Sequence, residues 1–268
     1  MNLRTSFTPG RGIHSLVRIG SIRCAVILAM VIFFGCFLAM GQTCASLVSV
    51  STHVVDLDAC RPAPITAGER TLVLRALPVE GEVTQLTNKE RQKLRALGPL
   101  LRLHGREGVY ELKVIALPQA WTGLYERAVL LISLPALRLL SPEELEAVVA
   151  HDIGHEYVWP VYAAAQKRND AVRLRELELA CDTIAVLSLT RLGVKPNRLV
   201  TAVEKGLRFN YGRFGRPSNE NSYPAFKIRR ELVKRMSRVT RTKLPIASLT
   251  KPPYMPEVSN SSYSDLSQ

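Results

Sequence analysis

The chain has 268 residues, 47% of them hydrophobic, which is enough for one domain with a real core plus tails. A formal net charge of +13 and a pI near 9.8 favour anionic surfaces such as membrane or cell-wall polymer. No basic motif interleaved with aromatics and no zinc-finger spacing accompanies that charge, so nucleic acid is the weaker choice and is not expected as a partner; the five cysteines include no CxxC pair, which argues against a disulfide framework or a cysteine zinc site.

Residues 1–23 carry Arg4, Arg11, Arg18 and Arg23 and no acid, and the uncharged apolar run 24–40 follows. A basic flank before an apolar run predicts a signal peptide or an anchor. The long leader favours an uncleaved anchor. Either form puts the rest of the chain outside the cytoplasm, in a bacterial periplasm or at a cell surface, with residues 1–45 reaching the membrane. Residues 46–70 read as a linker around Arg61-Pro62-Ala63-Pro64. A domain spans 71–240, and 241–268 lack periodicity and read as a disordered tail.

Within the domain, 71–77 is an apolar run expected as a strand. Residues 88–104 have helical periodicity, with a kink or split at Gly98-Pro99. Residues 109–117 alternate and predict a strand, 118–125 a loop with Trp121, and 128–134 a second strand ended by Pro135. Run 128–134 could serve as an edge that pairs with an extended substrate, or equally as a core strand. Ser141 then caps a helix, with Pro142 at its first position and Glu144 completing a capping box; Pro160 is expected to end it. A second helix runs from Ala163 or Asp170 to Leu192, with Gly193 as its stop. A third covers 196–206, a loop 209–223, and a basic helix 225–239, whose cations are either solvated or face an anionic membrane. The fold class is therefore α+β, mostly helical with a small upstream sheet.

The chemistry gathers in SPEELEAVVAHDIGHEYVWP and the later RELELACD. His151 and His155 are four apart in a helical pattern, so they share a face one turn apart and form half of a zinc site. Glu178 and Asp182 are also four apart on the next helix. A carboxylate from a second helix completes a two-histidine, one-glutamate zinc set, and Glu178 is favoured over Glu176 because only Glu178 has an acid four residues on. Asp182 could take the free N–H of a ligand histidine, or merely cap or pair on the helix.

LSPEELEAVVAHDIGH followed by ELACD resembles the gluzincin endopeptidases of metallopeptidase family forty-eight, which include the HtpX heat-shock protease and the CAAX prenyl endopeptidases. The resemblance covers roughly 109–235. It implies a zincin-like metallopeptidase domain acting on peptide or protein substrates, with Zn2+ held by His151, His155 and Glu178. It makes Asp152 the general base and Asp182 the support of a ligand. Arg216-Pro217-Ser218 and Ile228-Arg229 faintly echo the family's His-Pro-Ser and Arg-Ile elements.

Three departures accompany the resemblance. Asp152 stands where the family has glutamate, one methylene shorter, and a misplacement of about 1 Å can cost about 100-fold in rate. No histidine follows His155, so transition-state stabilisation falls to Tyr211, Tyr223, Arg216 or Arg229. The single apolar segment excludes the multi-span forms. Two rival functions stay open. AHDIGH also looks like the signature of HD-type metal phosphohydrolases, which need an upstream histidine; His104 is the one in range, so the neighbour of His151, Glu178 or His104, discriminates. The shortened acid also fits a degenerate zincin that binds without cutting.

Overall fold

The computed structural model describes residues 56–77, 81–215 and 223–243. The expected leader, anchor and most of the tail lie outside the described residues. The protein is α+β, with a three-stranded sheet upstream of a helical body. Among the described residues no helix is long and apolar enough to cross a membrane.

The expected strand 71–77 is instead part of helix α1, Ala67–Ala76. Thr66 accepts from the Glu69 N–H while the Glu69 carboxylate accepts from the Thr66 N–H at 2.8 Å. This reciprocal cap fixes the first turn and overrides the apolar run behind it. The helix buries no residue; Arg70 ties it down through the Val109 carbonyl at 2.7 Å and the Glu111 carboxylate at 2.9 Å. Leu57, in the segment expected as a linker, is a core residue. The helix expected over 88–104 is split as foreseen, into α2 (Asn88–Arg95) and α3 (Gly98–Leu103). Leu97 and Leu100, at the joint and just beyond it, are fully buried.

Strands β1 (Glu111–Ile115), β2 (Thr122–Tyr125) and β3 (Val129–Ser133) form a sheet in the order β1-β3-β2. β1 runs parallel to β3, with Leu112 opposite Leu130; β2 runs antiparallel, with Leu124 opposite Leu130. One expectation is corrected here: the loop 118–125 contains β2. Of the two readings of 128–134, edge or core strand, the structure has the core strand, at the centre of the sheet. The reason is a two-residue hairpin at Glu126-Arg127, both at positive φ (45° and 57°), closed by the Ala128 N–H on the Tyr125 carbonyl at 3.0 Å. That backbone matches the strand twist but normally selects Asn or Gly. Arg127 is held in it by bonds to the Ala63 carbonyl and, at 3.0 Å, to Glu156.

Ser133 caps the short helix α4 (Leu134–Leu139), and Lys93 binds the carbonyls at its far end, Leu137 at 2.7 Å among them. α5 (Pro142–Lys167) begins as read, with Ser141 and Glu144 bonded reciprocally. It does not stop at Pro160, which lies inside it. Proline removes one intrahelical bond, but Tyr157 and Val158 before it and Ala165 after it are buried, so packing carries the helix across. The end comes at Asn169, in the left-handed region at φ 54°, where the N–H of Asp170 reaches the Ala165 carbonyl and that of Asn169 the Gln166 carbonyl. Asp170 caps α6 (Ala171–Arg191), and Gly193 at φ 72° follows it.

α7 (Asn197–Phe214) runs further than expected, so 209–214 are helical rather than loop; α8 spans Phe226–Lys243. α5 and α6 form the central helical hairpin. α7 packs on α5, α8 on α6, and β2 lies against α5. Leu145, Val149 and Ile153 of α5 and Ile184 and Leu189 of α6 fill the core between these layers, each shielding about 1.5–3 kcal/mol of side chain from water.

Candidate metal centre

The α5–α6 hairpin sets the site by close approach. A Cβ on Gly154 would stand 2.8 Å from the Cys181 Cα and 3.0 Å from its Cβ and carbonyl oxygen. Only glycine lets the helices touch there. His151 and His155 flank that contact on α5; Glu178 and Asp182 flank it on α6. The two pairs of side chains are thereby brought together across 23 or more residues of sequence. Cys181 is buried packing and forms no disulfide with Cys60.

His151 Nε2 lies 3.3 Å from Glu178 Oε2, and His155 Nε2 lies 3.6 Å from Glu178 Oε1. One donor atom from each of His151, His155 and Glu178 falls within 4.8 Å of the others. Two donors at about 2.1 Å from a tetrahedral ion are themselves about 3.4 Å apart, so these separations are those of a ligand set. The cluster can hold a metal ion. Its imidazoles are only slightly exposed and Glu178 is buried. Glu176, the alternative acid, points away to Arg173 at 2.7 Å.

A hydrogen-bond chain fixes these groups. His151 Nδ1–H donates to Asp182 Oδ1 at 2.8 Å, which leaves Nε2 as the ligand atom. Arg229, on α8, donates through Nε to Asp182 Oδ2 at 2.8 Å and through Nη2 to Glu178 Oε2 at 3.3 Å. Arg229, one of the four candidates for transition-state stabilisation, thus has its guanidinium already engaged by the two carboxylates of the cluster. Burial works against its charge, but the Asp182 and Glu178 carboxylates raise its pKa. Burial also opposes ionisation of Glu178; the bond from His151 and the nearby cations win and hold its pKa at about 2. Burial lowers His155 to about 4, whereas in His151 the bonds to Asp182 and Glu178 overcome burial and lift it to about 9.

Asp152 projects beside this cluster. Its Oδ2 is buried and has no hydrogen-bond partner. Burial raises its pKa to about 6, moderated by His151 and by the nearby Thr122 side chain on β2. A buried carboxylate near neutral pKa with one unpaired oxygen is suited to receive a proton at that oxygen. The donor set and this orphaned oxygen together fit a hydrolytic metal site with its base.

Two contributing residues escape a reading of the motif alone. Tyr162 donates to Glu178 Oε1 at 3.2 Å and sets its ring edge-on against His155, 4.6 Å between centroids. It sits seven residues after His155, two turns on and on the same face, a signal hidden by the expected helix end at Pro160. Thr122 lies in the segment expected as loop. Of the remaining candidates, Tyr223 presents an exposed ring, while burial around its hydroxyl and the Glu178 carboxylate raise its pKa. Tyr211 falls within α7. Arg216 lies outside the described residues.

His104 is not at the site. It is buried on another side of α5, with Nδ1 2.8 Å from the Tyr157 hydroxyl and Nε2 2.9 Å from Ser188 Oγ. The neighbour of His151 is Glu178. Comparison of the chain with protein-family models and with curated proteins gave no match.

Proposed function

We propose that the protein is a zinc-dependent endopeptidase in which His151, His155 and Glu178 hold the ion and Asp152 is the general base. The observation that carries this reading is the convergence of three ligand atoms beside the unpartnered, buried Asp152 Oδ2. Zinc held there would supply Lewis acidity to an attacking water and to the scissile carbonyl. Asp152 Oδ2 takes the proton of that water and later returns it to the leaving amine. The Thr122 side chain on β2 stands beside the shortened acid and favours its charged form. Asp182, backed by Arg229, keeps His151 in one tautomer, and Tyr162 orients Glu178. Tyr223, at the mouth, donates its phenol proton as a hydrogen bond to the developing oxyanion.

β2 is the outer strand of the sheet on the side of α5, so an extended peptide laid along it runs past Asp152. The far edge, β1, is already engaged by Gly81–Val83, where Val83 N–H meets the Val114 carbonyl at 2.8 Å. The resemblance of 141–182 to the gluzincins supports the same reading. The engagement of His104 with Tyr157 and Ser188 counts against the HD-type alternative. The basic leader and apolar run support a domain held outside the cytoplasm at a membrane.

The test uses the full chain in nonionic detergent, with zinc content and cleavage of denatured casein measured together. Wild type is expected to carry stoichiometric zinc and to cut. Asp152→Asn is expected to keep zinc and lose cleavage, while Glu178→Ala loses both. Cleavage by Asp152→Glu alone, with an inert wild type, would establish the degenerate, binding-only zincin instead. Zinc retained in Glu178→Ala would remove the gluzincin ligand set altogether.

A further inference from the structure

α8 turns Arg229 toward Asp182 and Glu178, and its next residue, Arg230, toward a different place. Arg230, Lys234 and Arg238 on α8 face Lys195, just before α7, across a groove of about 590 Å³. Val200 and Val233 give the groove an aliphatic floor, and no acid lines it. Of the acids on the adjoining helices, Glu143 is committed to Arg198, Glu144 to Lys205 and Glu204 to Arg208, and Glu231, exposed on α8, is not among the residues that line the groove. Lys195, Arg230 and Lys234 have no carboxylate partner among the described residues.

We propose that this groove binds the headgroup of an anionic phospholipid. Lys195, Arg230 and Lys234, gathered without a carboxylate partner among the described residues, repel one another, and a bound phosphate relieves that repulsion. The start of α7 adds to the field. Pro196 holds its cap position and offers no side-chain acceptor, so the positive end of that helix dipole opens on the groove. The shape narrows the choice of anion. Several hundred Å³ is the scale of a small-molecule site and not of an extended nucleic-acid track. The aliphatic floor under Val200 and Val233 suits glycerol and first acyl carbons, which free phosphate lacks. Headgroup binding anchors α8, and α8 carries Arg229, so the lipid site and the metal site share one rigid element. The inference does not depend on peptidase activity, because the groove contains none of the metal-site residues.

The leader is expected to reach bilayers by itself, so vesicle binding would not isolate the groove. The test therefore titrates the detergent-solubilised full chain with soluble dihexanoyl-phosphatidylglycerol by calorimetry. Dihexanoyl-phosphatidylcholine and inorganic phosphate are the comparison ligands. Wild type is expected to bind the anionic lipid, with both comparison ligands much weaker. Neutralising three cations in Lys195→Gln/Arg230→Gln/Lys234→Gln is expected to weaken binding about 100-fold. Circular dichroism and zinc content should be unchanged in that variant. If it fails to fold, Lys234→Glu at an exposed position carries the test, with a loss of about tenfold or more expected. Equal affinity for phosphatidylcholine, equal affinity for inorganic phosphate, or unchanged binding in the folded variant would each overturn the proposal.

Discussion

Helix α5 carries two buried polar clusters on different faces, and they are built to opposite rules. Behind the helix, Glu156 accepts from Arg106 Nε at 2.7 Å, from Arg106 Nη2 and Arg127 Nη2 at 3.0 Å each, and from the Tyr110 hydroxyl. His104 is equally complete between Tyr157 and Ser188. Both of its ring nitrogens and both Glu156 oxygens are bonded, and the one unpartnered atom on this side, Arg127 Nε, is a donor at the network's edge whose Nη2 is already bonded to Ala63 and Glu156. At the front, two imidazole nitrogens aim at one carboxylate, and Asp152 Oδ2 has no partner. A closed network holds the chain together, whereas convergent donors beside an unsatisfied oxygen are poised for something outside the chain.

Substitutions should separate the two faces cleanly. Glu156→Ala leaves Arg106 buried without its carboxylate, and the expected cost is about 3–5 kcal/mol in urea unfolding. The segment 62–63 and the β2–β3 hairpin, both held by these arginines, should become proteolytically sensitive. Where the variant is folded, its zinc affinity should match wild type; a parallel loss would erase the distinction between the faces. Glu178→Ala should behave in reverse. Zinc affinity should fall by more than the roughly 10–100-fold typical of losing a supporting residue, read by competition with a chromogenic chelator. Metal-free stability should fall far less than in Glu156→Ala, since the Arg229 that remains still has Asp182 at 2.8 Å.

The front face was more legible in sequence than the scaffold presenting it. Ser141-Pro142 and Glu144 announced the start of α5, and the four-residue spacings of His151/His155 and Glu178/Asp182 anticipated the ligand cluster. Those signals are local, one turn or one cap long. The missed features depend on partners far along the chain. β2 exists because Arg127, held at positive φ, reaches Ala63 and Glu156. α5 crosses Pro160 because buried residues on both sides hold it, and that crossing is what delivers Tyr162 to Glu178. Arg229 read in sequence as one of four candidates for transition-state stabilisation, and only the fold shows Asp182 and Glu178 already occupying its guanidinium. α1 is the exception: Thr66 and Glu69 formed a readable capping box in front of an apolar run that resembled a strand.

Acid should distinguish the closed network by a different route. Burial holds His104 neutral, with a pKa near 4 against 6.5 for the free side chain. Between those values the unfolded chain binds the extra proton, so stability rises with pH through this window. The contribution is fully present above about 6.5 and lost as pH falls toward 4, a span of about 3 kcal/mol. Urea unfolding of wild type and His104→Gln at a series of pH values isolates it from the titrating carboxylates. The stability difference between the two proteins should shrink steadily below pH 6.5. A pH-independent difference would mean that His104 is not held neutral by its pocket.

The finest distinction concerns Asp182, which is buried and fully bonded like the rear network yet belongs to the front. If it serves the ligands, Asp182→Asn should weaken zinc binding about 10–100-fold, or about 1.4–2.7 kcal/mol. The amide keeps the shape, but it can turn an N–H toward His151 Nδ1 and favour the wrong tautomer. It also removes the charge that Arg229 balances. If Asp182 were merely structural, zinc affinity would hold while unfolding stability dropped. Pairing the substitution with Arg229→Gln sharpens the result: two groups acting through one hydrogen bond should give a double variant little worse than the poorer single one. Additive losses would instead mean that Arg229 supports the site through Glu178 alone, 3.3 Å away, and that the Asp182 bond to it is incidental.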